Sequence, residues 1–211
     1  MKPENVIFPC GNLKLEGLFF RPEGAGDVPA VVVCHPHPLY GGTMHNNVTL
    51  AIAEALVKAS MSSLLFNFRG VGRSQGSFGG GEKEQEDVAA ALDWLHTRQG
   101  VDGKRLGAAG YSFGASVAFP AACKDDRVKG LALVSPYFER NPQALMKGCS
   151  KPKLFIAGTD DYMVPAETVE GYYRDAAEPK RFESVRGADH FWGGQEKEMA
   201  ELVAGFFKDN L

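Results

Sequence analysis

The sequence predicts an α/β fold, in which a mostly parallel, doubly wound sheet is covered by helices on both faces. Short runs of β-branched and other apolar residues alternate with longer segments whose apolar residues recur every three or four positions. Such β–α repeats favour a parallel sheet, because parallel neighbours need crossover connections and these are usually helical. The 211 residues contain no repeat and no long linker, so residues 1–211 are predicted to form one domain.

The first half of the chain should begin with an antiparallel hairpin and then enter the parallel sheet. Residues 6–10 and 13–20 are strand-like and only two residues separate them. Residues 30–34 are a β-branched run, and residues 43–59 carry Val48, Ile52 and Leu56 along one helical face. A strand at 63–68 precedes a helix at 82–98, whose acidic first turns suit the helix dipole.

The second half continues the alternation. Helices are predicted at residues 113–123, 167–176 and 195–208, and strands at 105–110, 131–135, 154–157 and 182–185. The strands are short and mostly apolar, as expected for strands that are buried on both faces. Ligands of such sheets bind at the carboxyl ends of the strands. The functional residues are therefore expected in the loops that follow the strands.

Composition and charge argue against several classes of partner. The net charge is −3 and the basic residues form no run, so the chain lacks the positive field that would bind a nucleic acid. No apolar run approaches the roughly 20 residues that cross a bilayer, and the amino-terminal residues do not resemble a signal peptide. We expect a soluble, cytoplasmic protein without a nucleic-acid or membrane partner; its oligomeric state is not predicted.

The four cysteines are predicted to be reduced and structural. Cys10, Cys34, Cys123 and Cys149 are widely spaced, and no pair forms C-x-x-C. Three of them lie within or beside apolar segments, where a thiol packs as a small hydrophobic group. A disulfide between two of them is the alternative, which a cytoplasmic location disfavours.

Residues 110–114 read G-Y-S-F-G and fit the pattern G-x-S-x-G. They stand where a predicted strand meets a predicted helix, which is the setting of a nucleophile elbow. The serine in such an elbow occupies a strained turn, and glycines two positions before and after it prevent collisions. The helix that follows favours negative charge at the serine. Ser112 is therefore the predicted nucleophile, and an ordinary serine in a glycine-bounded turn is the alternative.

A serine nucleophile needs a base and a carboxylate that orients the base. His190 is the predicted base, because it lies in G-A-D-H-F directly after the last predicted strand. Asp161, in G-T-D-D-Y-M-V-P after the strand at 154–157, is the predicted acid, and Asp160 is its rival. Asp189 is disfavoured, since neighbours on a loop seldom face each other. The resulting order of Ser112, Asp161 and His190 is that of α/β-hydrolases.

The oxyanion hole should be formed by two backbone amides. The amide of Phe113, directly after the nucleophile, is the first. The second should come from H-P-H-P-L-Y-G-G at residues 35–42, where Pro36 and Pro38 have no amide proton. His37 is the preferred donor and Leu39 the next.

Neither a metal nor a cofactor is predicted. His35 and His37 lie two positions apart, but the sequence offers no convincing third ligand. Residues 67–74, N-F-R-G-V-G-R-S, lack the spacing of a phosphate-binding loop. This segment is expected to support the oxyanion loop from the neighbouring strand.

Taken together, these motifs resemble the α/β-hydrolase superfamily over residues 35–191. In particular the chain is similar to the compact bacterial hydrolases near the dienelactone hydrolases, which usually hydrolyse small carboxylic esters. It departs from dienelactone hydrolase itself, which has a cysteine where this chain has Ser112, and from haloalkane dehalogenases, which have an aspartate there. The short connection between residues 135 and 153 implies no lid. The open cleft could be lined by Tyr40, Phe78, Tyr137, Phe138, Met163 and Trp192, each of which could equally be ordinary packing.

These observations predict a serine esterase that cleaves a small-molecule carboxylic ester through an acyl-enzyme intermediate. A thioesterase or a peptidase with the same triad is the alternative, because the attacking atom and the oxyanion are the same. A prolyl-peptidase is disfavoured, since those enzymes usually carry a large gating domain. A non-catalytic binding module on the same fold is the remaining hypothesis, and the presence of all three triad positions argues against it.

Overall fold

A computed structural model describes residues 3–139 and 142–211 of the chain. The sheet has eight strands, which match the predicted strands in number and order: β1 Glu4–Cys10, β2 Leu13–Phe20, β3 Val28–Cys34, β4 Ser62–Phe66, β5 Val101–Tyr111, β6 Val128–Val134, β7 Lys153–Gly158 and β8 Lys180–Val185. The helices are α1 Asn47–Lys58, α2 Glu84–His96, α3 Phe113–Lys124, α4 Gln143–Gly148, α5 Ala166–Asp175 and α6 Glu196–Asn210.

The strands lie in the order β1-β2-β4-β3-β5-β6-β7-β8. Strand β2 pairs antiparallel with both β1 and β4, whereas the other five pairings are parallel. The carboxyl ends of β3, β5, β6, β7 and β8 therefore meet at one edge, which collects the loops that carry the predicted site residues. The predicted fold class, a mostly parallel sheet with an antiparallel amino-terminal hairpin, is confirmed.

The sheet separates two apolar cores. Along β3, Val32 faces the core beneath α2, α3, α4 and α5, whereas Val31 and Val33 face the core beneath α1 and α6. All three side chains are buried, because each face of a central strand is covered by helices. This double burial explains why the central strands have continuous apolar sequences.

The largest differences from the sequence prediction concern two helices and strand β5, which begins at Val101 and not at residue 105. Helix α1 begins at Asn47, not at residue 43, because the Asn46 side chain accepts a hydrogen bond from the Val48 amide and caps the helix there. Helix α4 was not predicted, since its six residues are too few to show a periodic pattern. In the described residues, α4 is the only regular element between β6 and β7, and the fold has no cap over the sheet.

The expectation of four reduced cysteines is wrong for two of them. Cys123 and Cys149 form a disulfide with a Cα–Cα distance of 5.7 Å, whereas Cys10 and Cys34 are buried free thiols. Cys123 is in the last turn of α3 and Cys149 directly follows α4. Because these two helices pack on the same face of the sheet, residues 26 positions apart in sequence become neighbours.

The outer strand β8 differs from the central strands. Its sequence carries Lys180, Arg181 and Glu183, and only Val185 is buried. Arg181 and Glu183 form an ion pair at 2.6 Å on the exposed part of the strand. The strand at this edge of the sheet therefore carries charged side chains.

No helix among residues 3–139 and 142–211 combines the length and the apolar composition that crossing a bilayer requires.

Candidate active site

Ser112 lies in the sharp turn between β5 and α3, with φ of 54° and ψ of −120°. A positive φ at a residue other than glycine is strained and is retained where the surrounding structure enforces it. A side chain at Gly110 would collide with the backbone of Gly114, and one at Gly114 would collide with the carbonyl oxygens of Cys34 and His35. The turn is therefore possible only with glycines at these two positions.

The structure brings Ser112, His190 and Asp161 together in one hydrogen-bonded chain. His190 Nε2 lies 3.1 Å from Ser112 Oγ, and His190 Nδ1 lies 2.8 Å from Asp161 Oδ2. All three residues are at most 9% exposed. The carboxylate fixes the imidazole proton on Nδ1, which leaves Nε2 as the acceptor for the serine hydroxyl. This is the geometry that a general base needs to activate a serine.

Asp161, not Asp160, faces the imidazole. Asp161 Oδ1 accepts hydrogen bonds from the amides of Met163 and Val164, at 3.0 and 2.8 Å, and Oδ2 is left for His190. Burial raises the pKa of Asp161, but the hydrogen bonds from His190 and Val164 outweigh it and hold the pKa below its ordinary value. Asp160 is exposed and its side chain accepts from the Thr159 hydroxyl.

The loop that carries His190 is fixed on both sides of the imidazole. The Tyr111 hydroxyl, from within the G-Y-S-F-G motif, donates to the His190 carbonyl at 2.5 Å. Asp189 Oδ1 accepts from the amides of Phe191 and Trp192, each at 2.9 Å. Asp189, which was disfavoured as the acid, bonds within its own loop, and the carboxylate beside the imidazole is on the loop after another strand. Tyr111 is a positioning residue that the motif alone did not reveal.

The two amides predicted for the oxyanion hole lie on loops that converge at Ser112. Phe113 is the first residue of α3, so its amide has no acceptor within the helix. The rings of His37 and Phe113 are in contact, with centroids 4.6 Å apart. The Leu39 amide donates to His37 Nδ1 at 3.2 Å. The amide of Leu39, the second candidate, is thereby occupied within its own loop. The His37 amide is therefore the favoured second donor of the predicted oxyanion hole.

His35 is a structural residue. Its Nδ1 donates to the Pro36 carbonyl at 2.6 Å, and its Nε2 accepts from the Phe68 amide at 3.1 Å. Burial lowers the pKa of His35 to about 4, so the ring is neutral at pH 7. Both nitrogens are occupied, which leaves no lone pair for a metal. The described residues contain no cluster of three or more histidine, cysteine or carboxylate side chains able to hold a metal ion.

The segment at residues 67–74, which follows β4, supports the loop at residues 35–44. Asn67 Oδ1 accepts from the Met44 amide at 2.8 Å, and Asn67 Nδ2 donates to the buried carboxylate of Glu16. Together with the bond from Phe68 to His35, these contacts tie both ends of the loop at residues 35–44 to one strand end. No phosphate-binding function is needed to explain this glycine-rich segment.

Ser135 and Trp192 belong to the site and the sequence analysis missed the role of both. Ser135 directly follows β6, is fully buried and has a φ of 40°. Its hydroxyl accepts from Trp192 Nε1 at 3.3 Å. It also lies near enough to Asp161 to add to the lowering of the pKa of that carboxylate, after His190 and Val164. Trp192, expected as a possible cleft residue, is fully buried. A lone serine after a strand has no sequence signal that could have revealed this contact.

The open cleft is shallow. Of the residues expected to line it, Tyr40, Tyr137 and Met163 are exposed and Phe78 and Phe138 are partly buried. A cavity of about 220 Å³ lies beside Phe113 and Tyr137. A larger groove of about 590 Å³ runs between α1 and α6, but it contains none of the residues of the hydrogen-bonded chain.

Comparison with known proteins agrees with this geometry. Residues 11–199 match the model of the X-Pro dipeptidyl-peptidase (S15 family). The structure is similar to an α/β serine hydrolase homologue from Coxiella burnetii, with 34% identity, a TM-score of 0.88 and coverage of 97% of each chain. It is also similar to an α/β serine hydrolase without lid from Xanthomonas campestris, with 26% identity, a TM-score of 0.82 and coverage of 98% and 94%.

A curated relative adds a different chemistry. A thiohydrolase from Aspergillus aculeatus is 33% identical over 60% of this chain and 39% of its own length.

The predicted membership of the α/β-hydrolase superfamily is confirmed, and the placement near the dienelactone hydrolases stays a prediction. With a family match that spans nearly the whole chain and solved relatives that share its fold, the chain belongs to the X-Pro dipeptidyl-peptidase (S15) family of α/β hydrolases.

Proposed function

We propose that the protein is a serine esterase that hydrolyses small carboxylic esters through an acyl-enzyme intermediate. The observation that carries the proposal is the continuous hydrogen-bonded chain from Asp161 through His190 to Ser112, with the serine at the amino terminus of α3. Such a chain activates a hydroxyl for attack on an acyl carbon. A lidless cleft admits substrate directly from solvent.

In the proposed mechanism, His190 Nε2 takes the Ser112 proton while Oγ attacks the ester carbonyl. The carbonyl oxygen becomes negative and is held by the amides of Phe113 and His37. Protonated His190 then gives its proton to the alcohol that leaves. Water attacks the acyl-enzyme with His190 again as base, and the carboxylic acid and Ser112 are released. Asp161 stabilises the imidazolium in both halves of the reaction.

Two other substrates fit the same machinery. A thioester would form the same acyl-enzyme, and the similarity to a thiohydrolase favours it as the second candidate. The matched family, described as X-Pro dipeptidyl-peptidase, favours a peptide that is cleaved after proline as the other candidate substrate. We rank a peptide third, because the described chain consists of the sheet and its helices alone and carries no gating unit around the cleft.

The test is hydrolysis of p-nitrophenyl esters from acetate to palmitate, with fluorophosphonate labelling and peptide mapping of the labelled serine. We expect label on Ser112 and preference for acyl chains much shorter than palmitate, because a lidless cleft encloses no long chain. Ser112→Ala should remove both label and turnover, whereas Ser77→Ala, at an exposed serine near the cleft, should change neither. Faster turnover of a matched thioester would favour the thioesterase, and turnover of Ala-Pro-p-nitroanilide alone the peptidase. A folded wild-type protein with no label and no turnover would leave only the binding module.

A further inference from the structure

Large exposed apolar side chains gather at one place on this molecule. Seven such side chains occur in the described residues, and one of them, Ile7, is on β1 far from the site. The other six form what we call the apolar rim: Leu39, Tyr40, Tyr137, Tyr162, Met163 and Phe191. Single exposed apolar residues are common and need no explanation, but a contiguous group marks a binding surface.

The rim surrounds the reacting atoms. The Tyr40 ring lies 4.9 Å from the His37 ring, and the Phe191 ring lies 5.9 Å from the His190 ring. The Tyr137 amide approaches the carbonyl of the nucleophile Ser112 at 3.5 Å.

The loop that follows β7 brings two more residues of the apolar rim to the site. Met163 and Tyr162 follow Asp161 directly, and the Met163 amide is bonded to its carboxylate. Four separate loops, after β3, β6, β7 and β8, thus bring apolar side chains to one opening. A group that lies on this surface is within reach of Ser112 Oγ, so its natural occupant is part of the substrate.

The charges around the rim are predominantly negative. Glu82, Glu139, Asp160 and Asp189 lie on the same loops as the rim or next to them. Burial lowers the pKa of His37, and Glu139 and Glu84 are near enough to oppose that shift. A negative field of this kind repels anionic substrates.

The basic side chains of these loops only partly offset this field. Of the four on the described loops, Arg69 pairs with Asp87 at 2.7 Å and Arg73 pairs with Glu16 at 2.8 Å. Lys83 and Arg186 are the other two. Among the described residues of these loops, a substrate that bears several phosphates would meet more carboxylates than cations.

Cavity size sets the remaining constraint. Pockets that enclose a drug-sized ligand usually hold about 300 Å³ or more, whereas the cavity beside Phe113 holds about 220 Å³. Its lining includes Phe113, which adjoins Ser112, but none of the three residues of the hydrogen-bonded chain. A bulky group must lie outside, where the apolar rim offers the contact.

On the basis of the proposed function, we propose that the natural substrate is an uncharged ester or thioester with a bulky aromatic or aliphatic group that lies on the apolar rim. Acyl groups on phosphate-bearing carriers such as coenzyme A are excluded by the carboxylates. The rim thereby selects for the size of the apolar group and the surrounding charges select against anions.

The test compares two esters with the same leaving group, ethyl acetate and ethyl 3-phenylpropanoate. We expect kcat/KM to be at least roughly tenfold higher for the phenylpropanoate, because the phenyl ring is removed from water on the rim. The ratio of the two kcat/KM values should fall about fivefold in Tyr162→Ser and in Phe191→Ser. Ile7→Ser, which removes an equally exposed apolar side chain elsewhere, should leave the ratio unchanged.

The charge part is tested with one acyl group on two carriers, S-ethyl 3-phenylpropanethioate and 3-phenylpropanoyl-coenzyme A. The neutral thioester should be preferred, and this preference should shrink at high salt and in Glu139→Gln, since salt screens the repulsion. An equal or higher kcat/KM for the coenzyme A thioester would show that the carboxylates do not select the substrate.

The failures of the two proposals are distinguishable. Absence of turnover for all four compounds and of fluorophosphonate label would contradict the proposed function itself. Turnover of ethyl acetate with a ratio near one, or with a ratio that the rim variants do not change, would refute the rim alone. A wild-type dimer that the rim substitutions dissociate without changing the ratio would make the rim an interface between copies, and this inference would be wrong.

Discussion

The indole of Trp192 donates to the hydroxyl of Ser135 at 3.3 Å, and both side chains are fully buried. Both residues also have a positive φ, 63° and 40° respectively. The backbone is therefore strained at both residues, and the Ser135 hydroxyl lies near Asp161, the acid of the proposed triad, whose pKa it helps to lower. This pair connects the loop of the base with the strand end beside the acid.

We expect Ser135→Ala to lower kcat by up to roughly tenfold with little change in KM, because the hydroxyl helps to keep the Asp161 carboxylate charged. Alanine keeps the Cβ atom, so the backbone strain at this position is unchanged. Removal of the donor should also raise the pKa of Asp161 and move the acid limb of the pH–rate profile to higher pH. Trp192→Phe removes the indole N–H together with part of a fully buried ring, so we expect it to lower stability as well as to shift the acid limb in the same direction. An unchanged acid limb in Ser135→Ala would show that the hydroxyl does not act through Asp161.

Adjacent aspartates provide a matched pair of substitutions. Asp161→Asn should lower kcat by several orders of magnitude, because an amide can donate to Nδ1 and stabilise the wrong imidazole tautomer, an effect of about 10⁴ in an analogous triad. Asp160→Asn should change kcat less than twofold, since its side chain bonds to Thr159 on the exposed side of the loop. Steady-state kinetics of both variants decide the assignment, and the reverse pattern would make Asp160 the acid.

The buried neutral His35 should make the fold sensitive to mild acid. Its pKa is about 4 in the folded protein and about 6.5 in the unfolded chain. Between these values the unfolded state binds more protons, so the free energy of unfolding falls as pH falls. The loss attributable to His35 from pH 7 to pH 5 is about 2 kcal/mol. Urea unfolding at both pH values measures it.

His35→Gln is the control for that measurement, because glutamine can accept the bond from the Phe68 amide but does not titrate. The variant should be less stable at pH 7 but lose less stability on acidification. If wild type and variant lost equal free energy between the two pH values, protonation of His35 would not explain the acid sensitivity.

The number of reactive thiols tests the disulfide between Cys123 and Cys149. Under denaturing conditions without reductant, two thiols per chain should react, those of Cys10 and Cys34, and four after reduction. Reduction or the double substitution by serine should lower the free energy of unfolding by about 2–4 kcal/mol, as expected for a closed loop of this length. Four reactive thiols before reduction would contradict the bond.

The succession of strands and helices along the chain and the residues of the proposed triad could be predicted because each depends on a local pattern, whereas the order of the strands within the sheet was not predicted. Ser112 is recognisable from the glycines that its strained turn requires, and His190 from its place after the last strand. The disulfide and the contact between Ser135 and Trp192 could not be predicted, because each joins segments that only the folded sheet brings together. Helix α4 is too short for a periodic signal. The rim depends on the exposure of side chains, which composition does not reveal.

The sequence of strand β8 also affects how readily the protein aggregates in concentrated solution. An outer strand offers unpaired backbone groups to any extended chain that approaches it. On β8, such pairing would take Arg181 and Glu183 out of water, at a cost that an apolar strand would not impose. The charged side chains of Arg181 and Glu183 therefore disfavour the addition of further strands at this edge. Replacement of both residues by valine should make the protein more prone to aggregate.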